Sequence, residues 1–389
     1  MSLSKKLANY FAASTILAGT ILGAGMFSLP FVFINAGSFL FVIFLILVTA
    51  ICTVTHLAYG ESLLRTEGEH RFIGMAEIYL GHWAKTLITI TSFISIGGCL
   101  LAYLILGGQF LQNFSQIIHY PLNQTQSVLL FWVIGSLGAL PGIKFIGKGE
   151  TISLILIVML IAVFFILGIP QLNLAHVPLI NASQLLLPYG VLLFALSGAS
   201  AVPEIYSYFQ KKSLTPKDIN FKKPIVWGSV IPALLYLIFC LGAIGLLGVQ
   251  NIGVDLVPQL ISINPLLGIA TDLLGILLIL TSYFILSLNF KNSLFFDLHM
   301  KQWVAWLIAI FLPLILYQLG AHDFIKVIGF LGAVVLGIES LITFLIHKKA
   351  QTNGATQPPF VLKIPNVLRF ILVALLILGA ALEVLRTIA

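Results

Sequence analysis

Charge is what this chain has least of. Only 8% of its 389 residues are Asp, Glu, Lys or Arg, where a soluble domain carries about a quarter. So few charges cannot dress a surface that faces water, and 59% of the residues are hydrophobic. Cysteine is nearly absent. Cys52, Cys99 and Cys240 each sit in an apolar stretch, which argues against a disulfide framework and against a thiolate metal site. The eight histidines are scattered, with no paired ligand spacing. The sequence has no HExxH, no Walker motif, no Asp/His-rich cluster and no soluble cofactor-binding domain. It therefore reads as neither an enzyme nor an ATP-driven pump, and no organic cofactor is expected. A channel would call for rings of charge or a filter sequence, and remains the alternative from a different class. The net charge of +7 is spread over six segments, unlike the single basic face that binds nucleic acid.

Apolar runs are abundant. A helix needs about 20 such residues to cross a bilayer, and eleven stretches qualify: 9–35, 38–63, 84–113, 126–143, 149–170, 186–209, 224–248, 267–290, 302–319, 324–347 and 366–387. The fold class is all-α and polytopic, with the bilayer itself as partner. The first stretch is too long for a cleavable signal peptide, carries Gly23 and Gly25 mid-span and runs straight into the second. Eighteen of the 20 Lys and Arg fall on alternate connections, including Arg65, Arg71 and Lys85, then Lys211, Lys212, Lys217, Lys222 and Lys223. By the positive-inside rule the N-terminus is cytoplasmic. An odd span count puts the C-terminus outside a plasma or inner membrane.

Two spans are interrupted. The first reads Ala18-Gly19-Thr20-Ile21-Leu22-Gly23-Ala24-Gly25-Met26-Phe27-Ser28-Leu29-Pro30, and the sixth Phe194-Ala195-Leu196-Ser197-Gly198-Ala199-Ser200-Ala201-Val202-Pro203-Glu204. They lie five spans apart, so the chain divides into an inverted pair of five-span repeats, about 9–170 and 186–347. These form a 1–347 core, followed by a 348–365 cytoplasmic linker and an eleventh helix at 366–389. Paired breaks of this kind mark a substrate site at mid-membrane. Amides at the start of a half-helix suit a carboxylate, and carbonyls freed at the other break suit an ammonium. A free amino acid carries both.

The Gly19 to Met26 stretch resembles the first-helix signature of the amino acid/auxin permease family, especially the bacterial hydroxy/aromatic amino acid permeases of the amino acid–polyamine–cation superfamily. Glu61 followed by Tyr79-Leu80-Gly81, Val202-Pro203-Glu204-Ile205 and Thr281-Ser282-Tyr283 resemble the same family. The resemblance implies a five-plus-five transporter with discontinuous helices 1 and 6. It implies that Gly23, Ala24 and Gly25 hold the substrate carboxylate, that carbonyls near Phe194 and Ala195 with Ser197 meet the ammonium, and that Tyr103 lines the pocket. Gly97 and Gly98 are further pocket candidates, and small residues on span 6 favour an apolar or aromatic side chain. The resemblance places an ion among Gly19, Leu22, Leu278, Thr281 and Ser282; whether the coupling cation is sodium or a proton stays open. Ionisable residues within spans are functional candidates. Glu204 reads as a proton carrier or a gate carboxylate bonded to the end of span 1. Glu339 reads as a titrating group or a partner of Lys291 or Lys148. Glu61, Glu150 and Asp272 read as interfacial. The expected function is cation-coupled symport of a neutral amino acid by alternating access, with an exchanger of the same fold as the alternative.

Overall fold

The computed structural model of the chain describes residues 3–68, 70–138, 146–211, 221–296 and 300–388. Lys144, Lys212 and Lys217 lie outside them, as do the side chains of Lys5, Lys6, Lys148, Glu150, Lys211 and Arg386.

Helices occur at every expected span, and no strand occurs among the described residues. Span 1 comprises α1 (Leu3–Ile21), a single tight turn over Ala24–Ser28, and α2 (Leu29–Ala36). Span 2 is α3 (Ser38–Arg65), and the short α4 (Phe72–Leu80) precedes span 3, α5 (His82–Ile117). Spans 4 and 5 are α6 (Gln124–Gly138) and α7 (Ile146–Gly168). Span 6 is split into α8 (Leu187–Leu196) and α9 (Val202–Lys211), and span 7 is α10 (Lys222–Leu247). The short α11 (Val257–Ile263) leads into span 8, α12 (Pro265–Phe296), and span 9, α13 (Gln302–Gln318). Span 10 joins α14 (Phe324–Phe330), a π-helical turn over Leu331–Leu336, and α15 (Gly337–Asn353); α16 (Asn366–Ile388) is the eleventh. Eight helices of the described residues are long and apolar enough to cross a membrane, and the first span, bent by 54° at its break, makes nine. Gln302–Gln318 is a shorter apolar helix of 17 residues, and α6 has 15.

Glycine decides how closely these helices approach. A β-carbon on Gly332, in the π-helical turn, would run into the Gly190 carbonyl of α8. Spans 6 and 10 therefore touch backbone to backbone, as small residues allow in lipid. Gly37 makes the turn between α2 and α3 with φ 105°, and a β-carbon there would lie 2.7 Å from the Leu179 carbonyl oxygen. Ser38 N–H donates to Pro178 O at 2.9 Å, tying this turn to the stretch before span 6. At the lysine-rich end, Lys85 donates to Glu77 at 2.9 Å and fastens α4 onto α5. That bond holds the Glu77 carboxyl below the usual carboxylate range.

The segment after span 10 is more than a spacer. α15 runs to Asn353, six residues past the expected end of its span, and the linker folds back beneath α3. Thr356 binds the Arg65 and Leu64 carbonyls, the Leu362 amide donates to Glu61 Oε2 at 2.6 Å, and Phe360 stacks on Phe221 at 6.5 Å. Glu61 is 0% exposed, so its interfacial assignment is corrected. Arg65 donates to Oε1 at 2.8 Å, and the buried His347 Nε2 bonds Oε2 at 3.0 Å. Its place near a helix end gave its depth, but the linker and α15 cover it.

Candidate functional site

The breaks follow from their residues. α1 ends at Ile21, Gly23 is extended, and Ala24 to Ser28 form one buried turn before Pro30 starts the second half-helix. The first backbone bond of that turn is Met26 N–H to Gly23 O at 3.2 Å. α8 ends at Leu196, Ser197 is extended, and a turn over Ala199–Ala201 precedes α9. A helix cut this way leaves carbonyls on one side and amides on the other without intrahelical partners.

The two breaks face each other. A β-carbon on Gly25 would lie 3.0 Å from Ala195 Cβ, 3.1 Å from its Cα and 3.5 Å from the Phe194 ring. The expected carboxylate and ammonium positions thus adjoin at Gly25, Phe194 and Ala195. Two side chains hold the breaks in register, and the sequence reading identified neither. Buried Tyr236 of α10 donates to the Ile21 and Ala195 carbonyls, and the backbone of Gly23 also hydrogen-bonds its hydroxyl. Buried His56 of α3 accepts the Gly198 N–H on Nε2 at 3.1 Å, so Nδ1 carries the proton and donates to Ser229 Oγ at 2.9 Å. A histidine within an apolar span was the available signal. Tyr103 on α5 lies within electrostatic range of Tyr236. Phe27 extends the site into an aromatic layer, edge-on to Phe110 at 5.0 Å and to Phe239 at 6.2 Å.

Gly97 and Gly98 serve a different purpose from the pocket expected of them. β-Carbons there would meet Leu312 of α13 and Leu331 of span 10, so both are helix-packing positions.

Beside the first break lies a cavity of about 30 Å³. Gly19, Leu22, Leu278, Thr281 and Ser282 all line it, with Leu154, Ile157 and Ile285 as the apolar remainder. This volume holds a water or one bare ion and is far below the roughly 300 Å³ of a small-molecule pocket. Thr281 Oγ1 donates to Leu278 O at 2.9 Å, which leaves its lone pairs for a cation. With α1 ended at Ile21, the Gly19 and Leu22 carbonyls receive no amide from four residues on.

The two acidic candidates differ. Glu204 is half exposed and accepts from Arg71 Nη2 at 3.1 Å. Its partner is therefore the segment before α4, which corrects the expected bond to the end of span 1, and it lacks the burial a proton carrier needs. Glu339 is half-buried in α15 with Ser92 of α5 in hydrogen-bonding reach. It forms no ion pair with Lys291 among the described residues. Asp272, expected at the interface, is 0% exposed, because α5 covers it seven residues into α12.

The chain matches the tryptophan/tyrosine permease family over residues 6–383. It is 21% identical over 340 residues to glutamine transporter 2 of Aliivibrio fischeri, covering 85% of this chain and 87% of that protein. It is 26% identical over 243 residues to tyrosine-specific transport system 1 of Haemophilus influenzae, covering 61% and 58%. Among solved structures it is similar to the crystal structure of MhsT in complex with L-phenylalanine, with a TM-score of 0.61, 16% identity, and 95% and 98% of the two chains covered. That likeness establishes the inverted-repeat transporter fold.

Proposed function

The chain belongs to the tryptophan/tyrosine permease family and is an amino acid transporter, and on that premise we propose that it imports a neutral, apolar or aromatic amino acid with a cation by alternating access. The observation that carries this reading is the juxtaposition of Gly25 with Ala195. Amides at Ala24 and Gly25 sit where a carboxylate would bind, and carbonyls at Phe194 and Ala195, with Ser197, where an ammonium would. No charged side chain is needed at the break, which suits a zwitterion whose charges cancel. Relatives named for glutamine and tyrosine, and a phenylalanine complex of the same fold, support an uncharged side chain. The aromatic layer of Phe27, Phe110 and Phe239 favours an apolar or aromatic one. Uptake of labelled tyrosine, phenylalanine, glutamine and lysine into proteoliposomes, with sodium and proton gradients imposed separately, tests this. Lysine accumulating in preference to the neutral three would refute it.

For the cation, the cavity beside Gly19 and Ser282 supports sodium, since hard cations take oxygen ligands of this kind. Replacing Thr281 and Ser282 together by alanine is expected to abolish sodium dependence. It should also weaken amino-acid affinity by about 5- to 150-fold, the usual size of a 1–3 kcal/mol coupling. Uptake by the natural chain that follows the pH gradient and ignores sodium would overturn this. Glu339 supports a second reading, proton coupling, because it is an acid within span 10 that forms no ion pair among the described residues.

Taking the lysine-rich end as cytoplasmic, the Arg71–Glu204 pair acts as an inner gate between α9 and the segment before α4. An exposed pair contributes at most about 1 kcal/mol to stability. Glu204→Gln should therefore leave the melting temperature nearly unchanged while slowing exchange and gradient-driven uptake alike. Normal exchange with only the proton dependence lost would show that Glu204 is a carrier.

A further inference from the structure

At the end of the bundle away from the lysines, Asp272 points into the interior between α12 and α5. It is 0% exposed, and neither carboxyl oxygen receives a well-formed hydrogen bond, Asn113 being the donor within reach. Its polar neighbours are Asn113 of α5 and Asp255, which precedes α11. Asn113 Nδ2 donates to Asp255 Oδ2 at 2.9 Å, and the Val257 amide donates to Asp255 Oδ1 at 3.0 Å. Both donors are thus directed at Asp255. Among the described residues no Lys, Arg or His pairs with either carboxyl, and no third Asp, Glu, His or Cys joins them.

Of the two carboxyls beside Asn113, Asp272 is fully buried and Asp255 half-buried, and like charges so placed disfavour double ionisation, so that one proton stabilises the pair. A multivalent metal would need more oxygens than this pair offers. We propose that Asp272 and Asp255 form a proton-carrying pair, with Asp272 the carboxylic acid and Asp255 the carboxylate. The assignment follows from the donors: Asp255 accepts a well-formed bond on each oxygen, as an anion should, while Asp272 has only the Asn113 amide within reach, already bonded to Asp255. Burial pushes the Asp255 carboxyl up against the pull of its two hydrogen bonds, so a proton nearby relieves it.

The elements packed against α12 add no competing charge. α6 and α11 carry no titratable residue. α13 offers Tyr317, α7 has Lys148 and Glu150 near its lysine-rich end, and α5 has His82, Lys85, Cys99 and Tyr103, all more than two turns from Asn113. The charged group acting on Asp272 is Asp255.

The position links the proton to closure of this end. Gly275, nearly one turn after Asp272, packs on Phe110, whose ring meets Phe27 of the first break. Held on Asp272, the proton lets α12 close on α5 over the aromatic layer. Lost to water, it leaves two anions that drive these elements apart.

Infrared spectroscopy of the purified protein in H₂O and D₂O tests the proton itself. A carboxylic-acid carbonyl band that shifts in D₂O is expected, lost in Asp272→Asn and retained in Glu339→Gln. If Asp272→Asn does not fold, Asp255→Asn must move the same band, because it removes the acceptor. A band unchanged in the variant that folds would overturn the proposal. The consequence for transport rests on the symporter reading. Tyrosine uptake at fixed sodium should rise as external pH falls in the natural chain and lose that dependence in Asp272→Asn. If the natural chain takes up no amino acid, the symporter reading fails, while the infrared band still decides the pair.

Discussion

Gly25→Ala is expected to cost about 1–3 kcal/mol of amino-acid binding, a weakening of roughly 5- to 150-fold, and Gly25→Leu to abolish binding. The added methyl would lie 3.0 Å from Ala195 Cβ and 3.1 Å from its Cα, inside the contact distance of two carbons. One neighbour is side chain and the other backbone, so the closing faces can yield only by a few tenths of an ångström. Ala195→Gly removes the nearer of the two. The double variant should therefore recover part of the loss, a coupling that a double-mutant cycle reads directly. Equilibrium binding of labelled amino acid to purified, inserted protein is the measurement. Unchanged affinity in Gly25→Ala would mean that the carboxylate binds elsewhere.

Glu61→Ala should destabilise the fold by about 3–5 kcal/mol, the usual cost of removing one partner from a buried ion pair. The loss has three parts. Arg65, whose side chain is 13% exposed, keeps its charge without its acceptor. His347 loses the Nε2 partner while its Nδ1 already has none. The Leu362 amide loses its bond, and with it the linker loses its central attachment. Glu61→Gln should cost less, because its amide oxygen can still accept one of these donors. Thermal unfolding in detergent is the check, and Ala and Gln variants that melt together with the natural chain would sink the argument.

Much of this was legible before the fold. Hydropathy located every span, and small residues with glycine at mid-depth, followed by a proline, located both breaks, because such residues interrupt a helix. Gly19, Leu22, Leu278, Thr281 and Ser282 were grouped by the family resemblance and line one cavity, while their i, i+3 and i+4 spacing puts each set on one face of its own helix. What stayed hidden depends on which neighbour covers a given face. Depth along a span was readable for Glu61 and Asp272, but the linker over one and α5 over the other were not. Glu204 drew its partner from a loop whose path no periodicity describes. Tyr236 and His56 lie on spans 7 and 2, and only the crossing of those helices with the two breaks shows what their polar atoms hold.

The glycine contact between spans 6 and 10 makes the two halves of span 6 mechanically unequal. α8 is set against the π-helical turn backbone to backbone, where there are no side chains to bend. α9 rests on its neighbours through a stripe of Val202, Ile205 and Phe209, and side chains give way far more readily than peptide planes. One half is a fixed beam and the other a hinged arm, with Ser197 and Gly198 as the joint. Rotation about those two residues would move α9 while the rest of span 6 stayed where it is.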